Sequence, residues 1–104
     1  MIRKASIIKL KPDMQEEYKM RHDEIWPEMQ LVLHNQKMRN YSIWLYGNTL
    51  FCYWESEDNR KIQMSQLDKA TYDRWQNYMK DLIEHVVDPI TGEDISLPMM
   101  FLFE

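Results

Sequence analysis

Arg39 to Tyr46 (RNYSIWLY) and Thr49 to Glu55 (TLFCYWE) are two aromatic and β-branched runs joined by Gly47-Asn48. A two-residue connection of that kind suits the tight turn of a β-hairpin, and this hairpin constrains the fold more than any other stretch. Along it, Tyr41, Ile43 and Leu45 point one way while Trp44 and Tyr46 point the other; opposite them, Leu50, Cys52 and Trp54 alternate with Phe51 and Tyr53. Both faces therefore carry large apolar side chains. One layer of helices covers only one face of a sheet, so the second face is expected to be covered by another subunit, to line a ligand pocket, or both. The expectation is a homodimer packed through the sheet face.

The flanking segments supply the covering layer. Residues 2–10 read as a strand, and Lys11-Pro12-Asp13 then opens a helix over about 13–24, with Asp13, Glu16 and Glu17 complementing its positive end. Trp26-Pro27 breaks that helix, because the residue before a proline avoids the α region, and Pro27 opens a second piece through Met29, Leu31, Val32 and Leu33. Residues 58–85 are again helical in character, with a short helix up to Leu67 and a second from about Lys69. The apolar stripe Tyr72, Trp75, Met79, Leu82 and Ile83 lies along it. Residues 88–93 (DPITGE) are loop chemistry, and Leu97 to Phe103 (LPMMFLF) reads as the last strand. Strand, helix, strand, strand, helix, strand is the α+β, ferredoxin-like order: an antiparallel sheet with helices on one face. At 104 residues the chain fits one domain, 1–104, and has no room for two cores.

Charge and composition narrow the partners. A formal net charge of −4 without a basic run lacks the footprint that a phosphate backbone requires, so nucleic acid is not an expected partner. Lys9 interrupts the first apolar run too early for a signal peptide or a membrane span. Cys52 is the one cysteine and has no ligand spacing around it, which fits a reducing, cytoplasmic location. No pair of His, Asp, Glu or Cys has trustworthy metal-ligand spacing, and Gly47 and Gly92 read as turn residues rather than a phosphate loop; no metal and no nucleotide cofactor is expected. Thirteen aromatic residues can hold something flat and partly polar.

The candidate chemistry sits on the first helix. Met14, Tyr18, His22 and Ile25 recur at spacings of four, four and three, so Tyr18 and His22 are neighbours on the stripe facing the sheet. Two readings stand side by side: both are core residues whose polar atoms bond to backbone, or the imidazole gives and takes protons at the mouth of a pocket. Trp75 is likewise either packing or a ligand platform. His34 and His85 read as residues near helix ends that cap carbonyls or interact with the helix dipole.

The stretch EEYKMRHDEIWPEM, with the opening MIRKA, the strand NYSIWL and the later RWQNYM, closely resembles the L-rhamnose mutarotase family over nearly the whole chain. The resemblance implies a dimeric α+β barrel. It also implies cofactor-free interconversion of the α and β anomers of a sugar pyranose, L-rhamnose or a related 6-deoxy sugar. By matching positions His22 becomes the proton donor, and Tyr18, Tyr41 and Trp75 contact the sugar. Gln76 stands at a substrate-binding position where family members carry a second tryptophan. The reaction needs an acid on the ring oxygen and a base on the anomeric hydroxyl, and only protons move. Two rival classes remain: a small dimeric-barrel monooxygenase acting on haem or an aromatic substrate, and a non-catalytic sugar-binding module.

Overall fold

A computed structural model of the chain describes residues 1–57, 63–84 and 86–104. The elements run β1 (Ile2–Leu10), α1 (Gln15–Asp23), α2 (Pro27–Asn35), β2 (Met38–Tyr46), β3 (Thr49–Ser56), α3 (Gln66–Met79), a 3-10 turn (Lys80–Leu82), β4 (Ile83–Glu84) and β5 (Ile95–Ser96). The strands are antiparallel in the order β2-β3-β1-β4, and β5 pairs with β1 as well. This is the expected α+β, ferredoxin-like arrangement. Among the described residues no helix is long and apolar enough to cross a membrane.

Local chemistry sets the element ends. Asp13 takes a left-handed backbone (φ 65°), so the first helix starts later than the sequence suggests, at Gln15. Trp26 is extended (ψ 139°), as a residue before proline must be, and Pro27 occupies the first turn of α2, where its missing N–H costs nothing. The hairpin turn puts Gly47 at φ 61°, and Leu45 and Leu50 face each other across it. Asn40 is also left-handed (φ 51°), at a bulge where Asn40 and Tyr41 together oppose Trp54; its amide donates to Glu55 Oε1 at 2.8 Å. The extra residue re-phases β2, so that Met38, Tyr41, Ile43 and Leu45 all line the same side of the sheet.

Three expectations are corrected. No break separates a short helix from a later one near Leu67: α3 is continuous from Gln66, because the Ser65 hydroxyl caps it by accepting from the Asp68 N–H at 3.1 Å. The remainder of that expected short helix, residues 58–62, lies outside the described residues. The helix also stops at Met79, so Leu82 sits in the 3-10 turn and Ile83 in β4. Finally, Leu97 to Phe103 is not a strand. The pairing ends with Ser6 opposite Ser96 and one further bond from the Leu97 N–H to the Ala5 carbonyl; Pro98 has no N–H to extend the ladder.

The helices pack on one face. Leu10 and Leu50 from the sheet meet Tyr18, Met29, Val32, Trp75 and Met79 from the helices, with Leu82, in one buried cluster. Burying each full-sized apolar side chain of this kind contributes about 1.5–3 kcal/mol. On the opposite face Trp44 is 68 % exposed and Tyr46 80 % exposed, with Phe51 partly exposed between them and β1. The hairpin does present apolar side chains on both faces, and the helices of this chain cover one of them.

Candidate active site

Helix α1 carries Tyr18 and His22 one turn apart, and the rings lie 4.4 Å apart between centroids at 30°. His22 Nδ1 is 3.2 Å from the Tyr18 carbonyl oxygen. A carbonyl only accepts, so Nδ1 carries the hydrogen and Nε2 is the nitrogen left to exchange a proton. The edge of the Trp75 ring packs against the His22 ring at 5.5 Å, nearly perpendicular (86°). Trp26 continues this wall, T-shaped on Trp75 at 5.1 Å, and Tyr78 lies against Trp26 at 5.3 Å.

Arg21, the residue before His22, ties the two helices together. Its guanidinium accepts nothing and donates three ways: to Glu17 Oε1 at 2.8 Å, to the Tyr78 carbonyl at 2.5 Å and to Asp81 Oδ1 at 3.2 Å, while lying 4.3 Å over the Tyr78 ring. The Tyr78 carbonyl lies in the last turn of α3. On the other side of α1, Gln15 donates to Asn48 Oδ1 at 2.9 Å and thereby anchors the helix start to the hairpin turn.

Between the helices and the sheet is an open hollow of about 1180 Å³, lined by all five residues singled out in the sequence: Tyr18, His22, Tyr41, Trp75 and Gln76. Tyr41 reaches it from β2, its ring stacked on Trp54 at 5.9 Å and 21°. Trp75 is buried, and Gln76 next to it is exposed. Tyr18 is 7 % exposed and belongs to the core cluster, as the first reading has it, while both residues also line the hollow, the position that the second reading requires.

The surroundings set the protonation states. Burial lowers the His22 pKa from its ordinary value, opposed by the hydrogen bond to the Tyr18 carbonyl and by nearby Asp23. Burial raises the Tyr18 phenol far above the usual tyrosine value, with Cys52 and Tyr41 adding to the effect. Tyr41 is 41 % exposed overall, yet loss of water around its phenol, helped by Cys52 and Tyr72, pushes it up to about 12. Both phenols are thus neutral hydrogen-bond donors near pH 7 and neither is a base. The buried Cys52 thiol is also held protonated by burial.

Spacing alone did not reveal Arg21, Trp26, Tyr72 or Tyr78. Tyr72 is three residues before Trp75, so helical periodicity placed it near the site without separating packing from contact, whereas Trp26 lies beyond the end of α1, where no helical spacing relates it to His22. His34 is exposed in the last turn of α2, as a residue near a helix end, and does not line the hollow; His85 lies outside the described residues. Among the described residues no three His, Cys, Asp or Glu side chains come together to hold a metal ion.

Comparison with known proteins gives one answer. The sequence profile described as L-rhamnose mutarotase matches residues 3–103. A protein named L-rhamnose mutarotase from Tolumonas auensis is 41 % identical over 99 % of this chain and 97 % of its own length. Another of that name, from Enterococcus faecalis, is 37 % identical over 89 % of this chain and 93 % of its own length. The crystal structure of an L-rhamnose mutarotase from Formosa agariphila superimposes with a TM-score of 0.78 over the full length of both chains, at 28 % identity.

Proposed function

The chain belongs to the L-rhamnose mutarotase family, and we propose that its hollow interconverts the α and β anomers of L-rhamnose by proton transfer through His22. The observation that carries this reading is the single free nitrogen: Nδ1 is committed to the Tyr18 carbonyl, so Nε2 of His22 is the proton-transfer atom beside the aromatic wall. At neutral pH the lowered pKa leaves the resting ring uncharged. Nε2 therefore first takes the proton of the anomeric hydroxyl. As the C1 to ring-oxygen bond breaks, its electron pair stays on the ring oxygen, which receives that proton from the imidazolium. The open aldehyde rotates about its C1–C2 bond. Reclosure on the other face returns the ring-oxygen proton to Nε2 and then to the new anomeric oxygen, so atoms and charge balance and His22 ends as it began.

Tyr18 and Tyr41, held neutral, donate to sugar oxygens, and Trp75 offers the apolar face of the pyranose a flat surface. Gln76 supplies an amide that both donates and accepts. Positioned acid and base assistance of this kind is worth on the order of 10² to 10⁴ in rate. The sheet face opposite the hollow pairs two copies of the chain, a reading supported by exposed Trp44 and Tyr46. The free, buried Cys52 thiol suits a cytoplasmic enzyme, and the net negative charge argues against a nucleic-acid partner. Saturation-transfer NMR on L-rhamnose tests the reading: added protein should speed magnetisation exchange between the two anomeric protons, and an exchange rate equal to the buffer blank would refute it.

A further inference from the structure

Resting on that reading, we infer that Tyr72 is a third sugar-contacting phenol, which lies near Tyr41 in the hollow and selects substrate by hydrogen-bonding one ring hydroxyl. Tyr72 sits on α3 three residues before Trp75 and four before Gln76, so the three side chains share one helix face and all line the hollow. Its ring packs against the core cluster, which fixes it, while the residue stays half-buried. Among the described residues no side chain pairs with its hydroxyl, and no buried side-chain nitrogen or oxygen is left without a partner; the phenol oxygen of this hollow-lining residue is therefore open to solvent. Tyr72 also lies near enough to the Tyr41 phenol to act on it electrostatically.

A tyrosine wanted only for packing would be served as well by phenylalanine, since a ring without its hydroxyl leaves nothing to hydrate. Placed at the edge of the hollow, the hydroxyl has a use. Phenols from α1, β2 and α3 approach from three directions, and a pyranose presents hydroxyls all round its rim. A site built to hydrogen-bond a substrate hydroxyl discriminates against the analogue that lacks it.

The test is Tyr72→Phe, which keeps the ring and the packing, assayed by anomer exchange on L-rhamnose and on its 2-, 3- and 4-deoxy analogues. Tyr53→Phe serves as control, because that phenol donates to Glu55 along β3 and does not line the hollow. We expect Tyr72→Phe to lower kcat/KM on L-rhamnose by about fivefold to tenfold, chiefly through KM, with Tyr53→Phe unchanged. One deoxy analogue should be handled equally by parent and variant, since the hydroxyl that Tyr72 meets is already gone. Parent-like behaviour of the variant on every sugar, or an equal loss on all four, overturns the inference. The outcomes separate the two readings: a parent that binds L-rhamnose without speeding exchange defeats the mutarotase reading, while the affinity ratio of parent to variant still decides on Tyr72.

Discussion

At His22 two effects act on one ring. Burial disfavours the imidazolium, and the carbonyl of Tyr18 accepts from Nδ1–H in either charge state, so the lowered pKa leaves Nε2 as a lone pair at pH 7. The sign of the pH dependence follows. The neutral ring starts the reaction, so exchange catalysis should be level near neutrality and fall as pH drops through a midpoint below the ordinary 6.5. A profile of exchange rate against pH that instead falls as pH rises through that midpoint would mean the imidazolium enters first. Much of this residue scale was legible beforehand. Tyr18 and His22 stood out because a repeat of four on a helix forces contact, and Trp75 because three and four along the last helix share a face. Tyr72 was equally visible but read as core, because a half-buried phenol and a buried one have the same spacing; only the shape of the hollow tells them apart.

Between elements, the site depends on how α1 is held against α3. Arg21 joins them through the Tyr78 carbonyl and Asp81, and it immediately precedes His22, the proposed proton-transfer residue. Arg21→Met keeps the aliphatic stem and removes the donors. It should cost about 1 kcal/mol in urea unfolding, since much of the pair is solvated. It should also lower kcat about tenfold with less change in KM, because the displaced imidazole is what suffers. Unchanged kcat alongside the stability loss would make Arg21 a surface strut with no bearing on the site. The hairpin and the helix start at Pro27 were readable, since Gly47 and Pro27 each impose a local geometry; the Ser65 cap was not, because the segment around it read as a short helix running through Leu67. The bulge at Asn40 was not, because nothing in RNYSIWLY marks which residue is left over until the register against β3 is known. The tail misled for the opposite reason: LPMMFLF has strand composition, and Pro98 within it removes the donor a ladder needs.

For the whole molecule, the decisive asymmetry is between the two sheet faces. One is covered by α1, α2 and α3 and holds the hollow; the other exposes Trp44 and Tyr46. Large aromatic side chains left in water on a flat antiparallel sheet mark a contact surface. Two copies of the chain related by a two-fold axis would bury the same patch on each. Sedimentation velocity at micromolar concentration should therefore give a dimer, and Trp44→Lys should shift it to monomer with its far-UV circular dichroism intact; a parent that sediments as a monomer contradicts the pairing. The α+β architecture was legible in the element order. The hollow was not, because its volume depends on how far the helices stand from the sheet, a quantity that spacing does not encode.

The measurement that bears most directly on the central claim is anomer exchange by His22→Ala, read by saturation-transfer NMR beside L-rhamnose binding on the same samples. With the imidazole removed and the aromatic wall intact, exchange should drop at least a hundredfold from the parent towards the buffer rate while sugar binding persists, consistent with loss of acid and base assistance. A variant that exchanges anomers as fast as the parent would show that the proton moves through some other group.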